Sequence, residues 1–328
     1  MFLPPLISPL SIAPMIDWTY THFRVFMRML APEALLYTEM QTIGAMTHQP
    51  ERTFFFDPME HPIALQVGGS SPEGLARMSI EAENRGFSEV NLNLGCPSDK
   101  VLAGQFGACL MRDPNLVAQC ILQMKRVVSI PITAKIRIGI DNEDSYEFFE
   151  AFVRVLIDAG CDKVIVHARK AWLHGLSPKQ NRTIPPLHYE YVVRLKQQFP
   201  QLPVVMNGNI QTEQEVHEHL KTVDGVMIGR LACNDPYQIS KIHHTIFGHH
   251  PLKSRALLLD DYMAYAVKQE GVPLSILFKP ILNLAHGLPH ARSWKSQLLS
   301  LKTLNETQRL QDVCDVLCSI ENEKTMNL

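Results

Sequence analysis

The chain has 328 residues, of which 46% are hydrophobic and 20% charged, with a formal net charge of −2. That is an ordinary globular mix and excludes a disordered, collagen-like or acidic-tail protein. The near-neutral balance gives no global positive field, so any nucleic-acid site must be a local patch.

In chain order, the first ten residues, MFLPPLISPL, are apolar but hold three prolines, no basic region and no cleavage site. They are not expected to be a signal peptide. Eight short apolar runs then read as strands: Leu10–Ala13, Leu35–Thr38, Ile63–Val67, Val90–Leu94, Ile132–Arg137, Lys163–His167, Val204–Asn207 and Gly225–Ile228. Each reads as apolar on both faces, as parallel strands under helices must be. Amphipathic segments lie between them. Ser71-Pro72-Glu73 and Asp113-Pro114 open two, and Thr212 with Glu215 forms a capping box. Gly86 and Gly160 each close a helix before a buried strand. Eight β/α units over roughly 240 residues predict an α/β fold, a TIM (β/α)8 barrel, rather than an open Rossmann sheet. No GxGxxG follows the first strand, which agrees. The pattern stops near Phe247-Gly248, and helical periodicity alone follows at Ala256–Gln269, Ile276–Ala285, Ser293–Leu304 and Glu306–Ile320. This predicts two domains: a barrel over 1–246 and a small all-helical domain over 247–328. No run is apolar enough to span a membrane. The seven cysteines show no paired spacing and predict reduced thiols in the cytoplasm.

Charge is uneven. Lys163 to Arg182 holds five Lys or Arg and no acid, and Lys241 to Lys302 holds eight against three acids. Two basic regions on a barrel with its catalytic face at the strand ends favour an anionic macromolecule.

The strand ends supply the chemistry. Asn207-Gly208-Asn209 after the seventh strand and Gly229-Arg230 after the eighth form the phosphate cradle of this fold. Either alone is an ordinary turn or strand end; together they favour a phosphorylated ligand. Gln66, Asn93 and Lys135 end the third, fourth and fifth strands. A flavin ring needs such a set: amides for its pyrimidine edge and a cation where reduction places negative charge. Lys135 could also pair with Asp17, and Asn93 could be a satisfied interior amide. Cys96, just past the fourth strand, is placed as a general acid. Trp294 reads as core. No metal site is expected.

The run Asn91-Leu92-Asn93-Leu94-Gly95-Cys96-Pro97 with Gly107-Ala108-Cys109-Leu110-Met111 resembles the signature of the tRNA-dihydrouridine synthases. APMIDWT (13–19), QVGG (66–69), KIRIG (135–139), HAR (167–169), NGNI (207–210) and MIGR (227–230) support it, and Ala171–Arg182 looks like the A subfamily. The resemblance spans essentially the whole chain. Many relatives carry a glycine where Asn209 stands, and asparagine tolerates positive φ, so the cradle should survive. The resemblance implies an oxidoreductase that uses FMN and NADPH to reduce uridine to 5,6-dihydrouridine in the tRNA D-loop, at U20 and U20a. It implies hydride transfer from flavin N5 to uracil C6 and a proton from Cys96 to C5. Pro14, Met15, Ile16 and His167 join the cofactor set, and Asn93 orients the uracil. Lys179, Arg182, Arg292 and Lys295 are the expected contacts to tRNA; Arg292 and Lys295 share a helix face. No oligomer is implied. A free-pyrimidine flavin barrel would need the same site but no basic tail, and a tRNA chaperone without catalysis would need neither Cys96 nor Lys135.

Overall fold

The computed structural model describes residues 7–249, 251–304 and 307–326. Its strands are β1 (Leu10–Ile12), β2 (Leu35–Tyr37), β3 (Gln41–Thr42), β4 (Ile63–Gly68), β5 (Glu89–Leu94), β6 (Ile132–Arg137), β7 (Lys163–His167), β8 (Val204–Asn207) and β9 (Gly225–Ile228). All pair in parallel. β1 pairs with β2 and β9, β2 pairs with β4, and β4 to β9 follow in order. Eight strands therefore close a TIM barrel, and they are the eight expected from sequence, with ends shifted by one residue at β1, β2, β4 and β5. The two-residue β3 beside β4 was not expected, because two residues carry no readable period.

The helix starts hold as read. Ser71 accepts from the Gly74 N–H at the head of Pro72–Asn84, and Asp113 accepts from Leu116 at the head of Pro114–Val127. Thr212 and Glu215 form the capping box of Glu213–Leu220.

The expectation of strands apolar on both faces fails at β5 and β6. Alternate residues of a strand face opposite ways. Val90, Leu92 and Leu94 form one fully buried face of β5, and Glu89, Asn91 and Asn93 form the other, also buried. β6 likewise sets Thr133, Lys135 and Arg137 on one face. Elsewhere an apolar cluster of Ala13, Leu35, Tyr37, Ala64, Ile165, Val205 and Met227 is buried. A shielded interior accepts polar side chains where they bond one another, as they do here.

Contacts divide the chain into two compact units. Met1–Thr19 with Ala34–Gly229 holds every strand, and Tyr20–Glu33 with Arg230–Leu328 holds the helix Thr21–Leu30 and those from Leu231 onward. Helices of the second unit include Pro236–Phe247, Arg255–Ala266, Ala291–Ser300 and Thr307–Met326. The helix expected over Ile276–Ala285 is instead Leu274–Phe278 followed by a 3-10 turn, Lys279–Ile281. Pro280 is the cause: it has no N–H to offer the carbonyl four residues back. That carbonyl, of Ile276, accepts from the Tyr20 hydroxyl at 2.8 Å, and the Leu277 carbonyl accepts from Tyr262 at 2.7 Å. Trp294 is core, 0% exposed, with Nε1 donating to the Val313 carbonyl at 3.1 Å. The expected last-helix start at Glu306 lies outside the described residues.

Candidate active site

Four polar side chains meet through the C-terminal ends of β4, β5, β6 and β8. Register sets Asn93 beside Lys135 and His167 beside Asn207. Lys135 Nζ donates to Asn207 Oδ1 at 3.0 Å, and Asn207 Nδ2 donates to the Met227 carbonyl at 2.8 Å. Lys135 therefore pairs with Asn207, not with Asp17. Gln66 is 1% exposed and accepts at Oε1 from Asn93 Nδ2 at 2.9 Å.

Asn93 does more than line this end. Its Oδ1 accepts from the backbone N–H of Gly95 at 3.1 Å and of Cys96 at 3.0 Å. The loop carrying Cys96 is thus pinned to the end of its own strand. The Cys96 carbonyl accepts from the Ala108 N–H at 2.9 Å, and Sγ lies 3.4 Å from Ser98 Oγ. Gly107 makes the close approach possible. Its φ is +76°, and a Cβ there would lie 2.6 Å from the Cys96 carbonyl oxygen and overlap Val101. Arg137 ties the far side down. Nε donates to the Gly95 carbonyl at 3.0 Å, and Nη1 donates to the carbonyls of Lys170 and Asn181, both at 2.9 Å. Buried Asn181 in turn holds Trp172 and Leu176 backbone groups.

The site is electropositive. Burial, Arg182 and Arg169 hold the Arg137 guanidinium down at about 10. Burial and Arg137 push the half-buried Lys135 ammonium down to about 7. An anion here gains from charges that otherwise repel one another. For Lys135 the charged form is penalised by folding. Between about 7 and its ordinary 10.5 the unfolded chain binds more protons than the folded one. Stability of the ligand-free protein should therefore rise with pH across that window, the penalty being complete below it. Thermal melts from pH 7 to 10 measure this. Lys135→Met should flatten the rise, and an equal slope in the variant would mean that Lys135 keeps an ordinary proton affinity.

The remaining expected residues fall in two groups. Gly208 (φ +131°) and Asn209 (φ +53°) turn the chain after β8, and a Cβ on Gly208 would come 3.0 Å from His167 Cδ2. Gly229 is different: a Cβ there meets only Ala13 and Met15, at 3.7 and 3.8 Å, so packing inside the chain does not demand glycine. Space left open at a strand end, beside a cationic and amide donor set, fits an anionic, carbonyl-bearing cofactor. Arg230 follows directly and begins the second unit. Pro14 and Met15 are half-buried after β1, and Ile16 is 54% exposed. Lys179 and Arg182 are exposed on the loop after β7. In the second unit Arg292 is exposed, while Lys295 leans onto Asn283 Oδ1 at 3.3 Å. Sequence reasoning missed Arg137 as a clamp, and it gave Glu89, Asn91, Thr133 and Lys163 no bonding role inside the barrel. The alternation in Glu-Val-Asn-Leu-Asn-Leu was the available signal.

A family model described as dihydrouridine synthase (Dus) matches residues 11–321. Relatives named tRNA-dihydrouridine(20/20a) synthase include proteins of Vibrio parahaemolyticus (46% identity over 88% of this chain and 90% of theirs), Xanthomonas campestris (48%; 88% and 87%) and Synechocystis (46%; 91% and 90%). A solved 2-naphthoyl-CoA reductase complex aligns with a TM-score of 0.55 at 9% identity, covering 74% of this chain and 51% of that one, and shares the fold.

Proposed function

The chain belongs to the dihydrouridine synthase family, a family of oxidoreductases, and from that premise we propose that it reduces uridine to 5,6-dihydrouridine in the tRNA D-loop. We propose U20 and U20a as targets, FMN as cofactor and NADPH as reductant. The relatives' names support the positions. The observation that carries the chemistry is a thiol, Cys96, whose loop Asn93 pins beside Lys135.

FMN held there would supply the two electrons of the reduction, as a hydride equivalent for uracil C6. The chain's own residues do the rest. Cys96 gives its proton to C5 and is reprotonated from water. Lys135 offers positive charge to the ring system and Gln66 its amide. Gly208, Asn209, Gly229 and Arg230 would hold the phosphate, with Pro14, Met15, Ile16 and His167 lining the cofactor. Asn93 orients the uracil. Lys179 and Arg182 of the barrel and Arg292 and Lys295 of the helical segment contact tRNA, so residues 1–246 would carry catalysis and share tRNA binding with the helical 247–328. All seven cysteines are free thiols, and no helix among the described residues is long and apolar enough to cross a membrane. For an enzyme whose substrate is tRNA, we propose the cytoplasm as its location.

The test is reaction of the purified protein with FMN, NADPH and unmodified tRNA, followed by mass mapping. The D-loop fragment should gain two hydrogens at each target uridine. Binding of tRNA should weaken steeply with salt, because phosphate contacts release counterions, and Arg292→Ala/Lys295→Ala should flatten that slope. Reduction of free uracil with no change in tRNA would favour a free-pyrimidine enzyme. Protein that binds tRNA but neither takes up FMN nor modifies it would favour a chaperone.

A further inference from the structure

A single line of hydrogen bonds climbs the barrel interior and ends on the Cys96 loop. At its foot, buried Glu89 accepts from Lys163 Nζ at 2.5 Å, from the Tyr37 hydroxyl at 2.6 Å and from Thr133 Oγ1 at 2.9 Å. Thr133 Oγ1 accepts from Asn91 Nδ2 at 2.9 Å. Asn91 Oδ1 accepts from Gln66 Nε2 at 2.8 Å. Gln66 Oε1 accepts from Asn93 Nδ2 at 2.9 Å, and Asn93 Oδ1 accepts from the Cys96 N–H at 3.0 Å.

The line has a direction, set from both ends: by the carboxylate of Glu89 at the foot and by the Gly95 and Cys96 N–H groups, which can only donate to Asn93 Oδ1, at the top. A carboxylate paired with a buried lysine is acceptor-only. Thr133 has one hydrogen and spends it on Glu89, so only lone pairs remain for Asn91. Asn91 must then turn its NH2 toward Thr133 and its carbonyl toward Gln66. The same constraint passes to Gln66 and then to Asn93, whose carbonyl is left facing Cys96. An amide has no such preference by itself, since its two ends have nearly the same shape. Tyr37 is held far above its ordinary phenol range by burial and Glu89, which keeps it a donor at the foot.

We propose that Glu89 is a positioning residue for the reaction: through Thr133, Asn91, Gln66 and Asn93 it fixes, from the foot, which end of each buried amide faces the site, and so both holds the Cys96 loop and presents N–H donors there. The proposal rests on the role of Cys96 given above. With the direction set, these bonds leave one N–H on Gln66 and one on Asn93. Both are donors, suited to the carbonyl oxygens of a pyrimidine ring. Reversal would present carbonyls and repel them, and would remove the acceptor from the Cys96 N–H.

Thr133→Val in the full chain breaks the line while leaving Glu89 its Lys163 and Tyr37 partners. Without added FMN, hydrogen–deuterium exchange should quicken in residues 93–98. With FMN, the flavin absorption maximum should shift and kcat for tRNA should fall about tenfold to a hundredfold, the cost of a small misplacement. KM for tRNA should stay within about twofold, since the RNA contacts lie elsewhere. Thr133→Ser keeps the hydroxyl and should restore all three. If the valine variant does not fold, Thr133→Cys, whose thiol is a weaker donor and acceptor, should show the same shifts in smaller measure. A lower melting temperature with unchanged exchange at 93–98 and unchanged kcat would make the line merely structural and overturn the proposal. If wild-type protein neither holds FMN nor modifies tRNA while the exchange still quickens, the functional reading fails and the ordering of the Cys96 loop by Glu89 stands.

Discussion

On the proposed reading, replacing Cys96 by alanine should slow the reduction of tRNA uridine by about 10²–10⁴-fold, the range lost with a positioned general acid, and should leave NADPH-driven flavin reduction at its wild-type rate. The asymmetry follows from what Cys96 touches. Its backbone is held from Asn93, Ala108 and, through Gly95, Arg137, and alanine retains all of those bonds. Only the thiol is lost, and the proton for C5 must then come from water. The nearest candidate in sequence to replace it is Cys109. Its Sγ donates to the Phe106 carbonyl at 3.1 Å, and burial raises its thiol above the ordinary range, so it is engaged and a poorer acid. Single-turnover reduction with pre-reduced enzyme and unmodified tRNA isolates the step. An unchanged rate there removes Cys96 from the chemistry. Gly107 gives the same site a geometric check, because any side chain at that position strikes the Cys96 carbonyl.

Glu89→Ala should destabilise the protein by about 3–5 kcal/mol, the cost of leaving a buried charge without its counterion. The melting temperature should fall on the order of 5–10 °C. Glu89 and Lys163 are 3% and 1% exposed, so water does not replace the missing carboxylate, and the Tyr37 and Thr133 hydroxyls lose their acceptor with it. The double change Glu89→Leu/Lys163→Met removes both charges and should recover part of the loss, because an apolar pair of similar volume avoids the desolvation penalty. A fall no larger than that of an ordinary surface substitution, about 0.5 kcal/mol, would mean that the ion pair is hydrated in solution. Thermal melts of the three proteins decide this without any cofactor.

How much of this could be read in advance depends on how far each signal reaches along the chain. The eight barrel strands, the caps at Ser71, Asp113 and Thr212 and the core role of Trp294 were legible because each is written within a few neighbouring residues. A strand is a short apolar run, and a cap is a hydroxyl or carboxylate next to the N–H groups it satisfies. Most of the site was legible as well, since Gln66, Asn93, Cys96, Lys135 and Asn207 sit at strand ends, where this fold gathers its functional groups. What each of them bonds was not legible. Lys135 meets Asn207 across 72 residues, and the line from Glu89 to Asn93 joins partners 25 to 74 residues apart. Those pairings exist only once eight strands have closed in one register. The same closure turns Asn91 and Thr133 from polar interruptions of apolar strands into satisfied members of one network. Pro280 shows the opposite limit: the break was local and readable, but the hydroxyls of Tyr20 and Tyr262 that take up the carbonyls of Ile276 and Leu277 arrive from distant helices. Local propensity therefore determined the elements and the residues at their ends, and tertiary closure alone decided hydrogen-bond partners and direction, because a buried polar group must find its partner wherever the fold brings one.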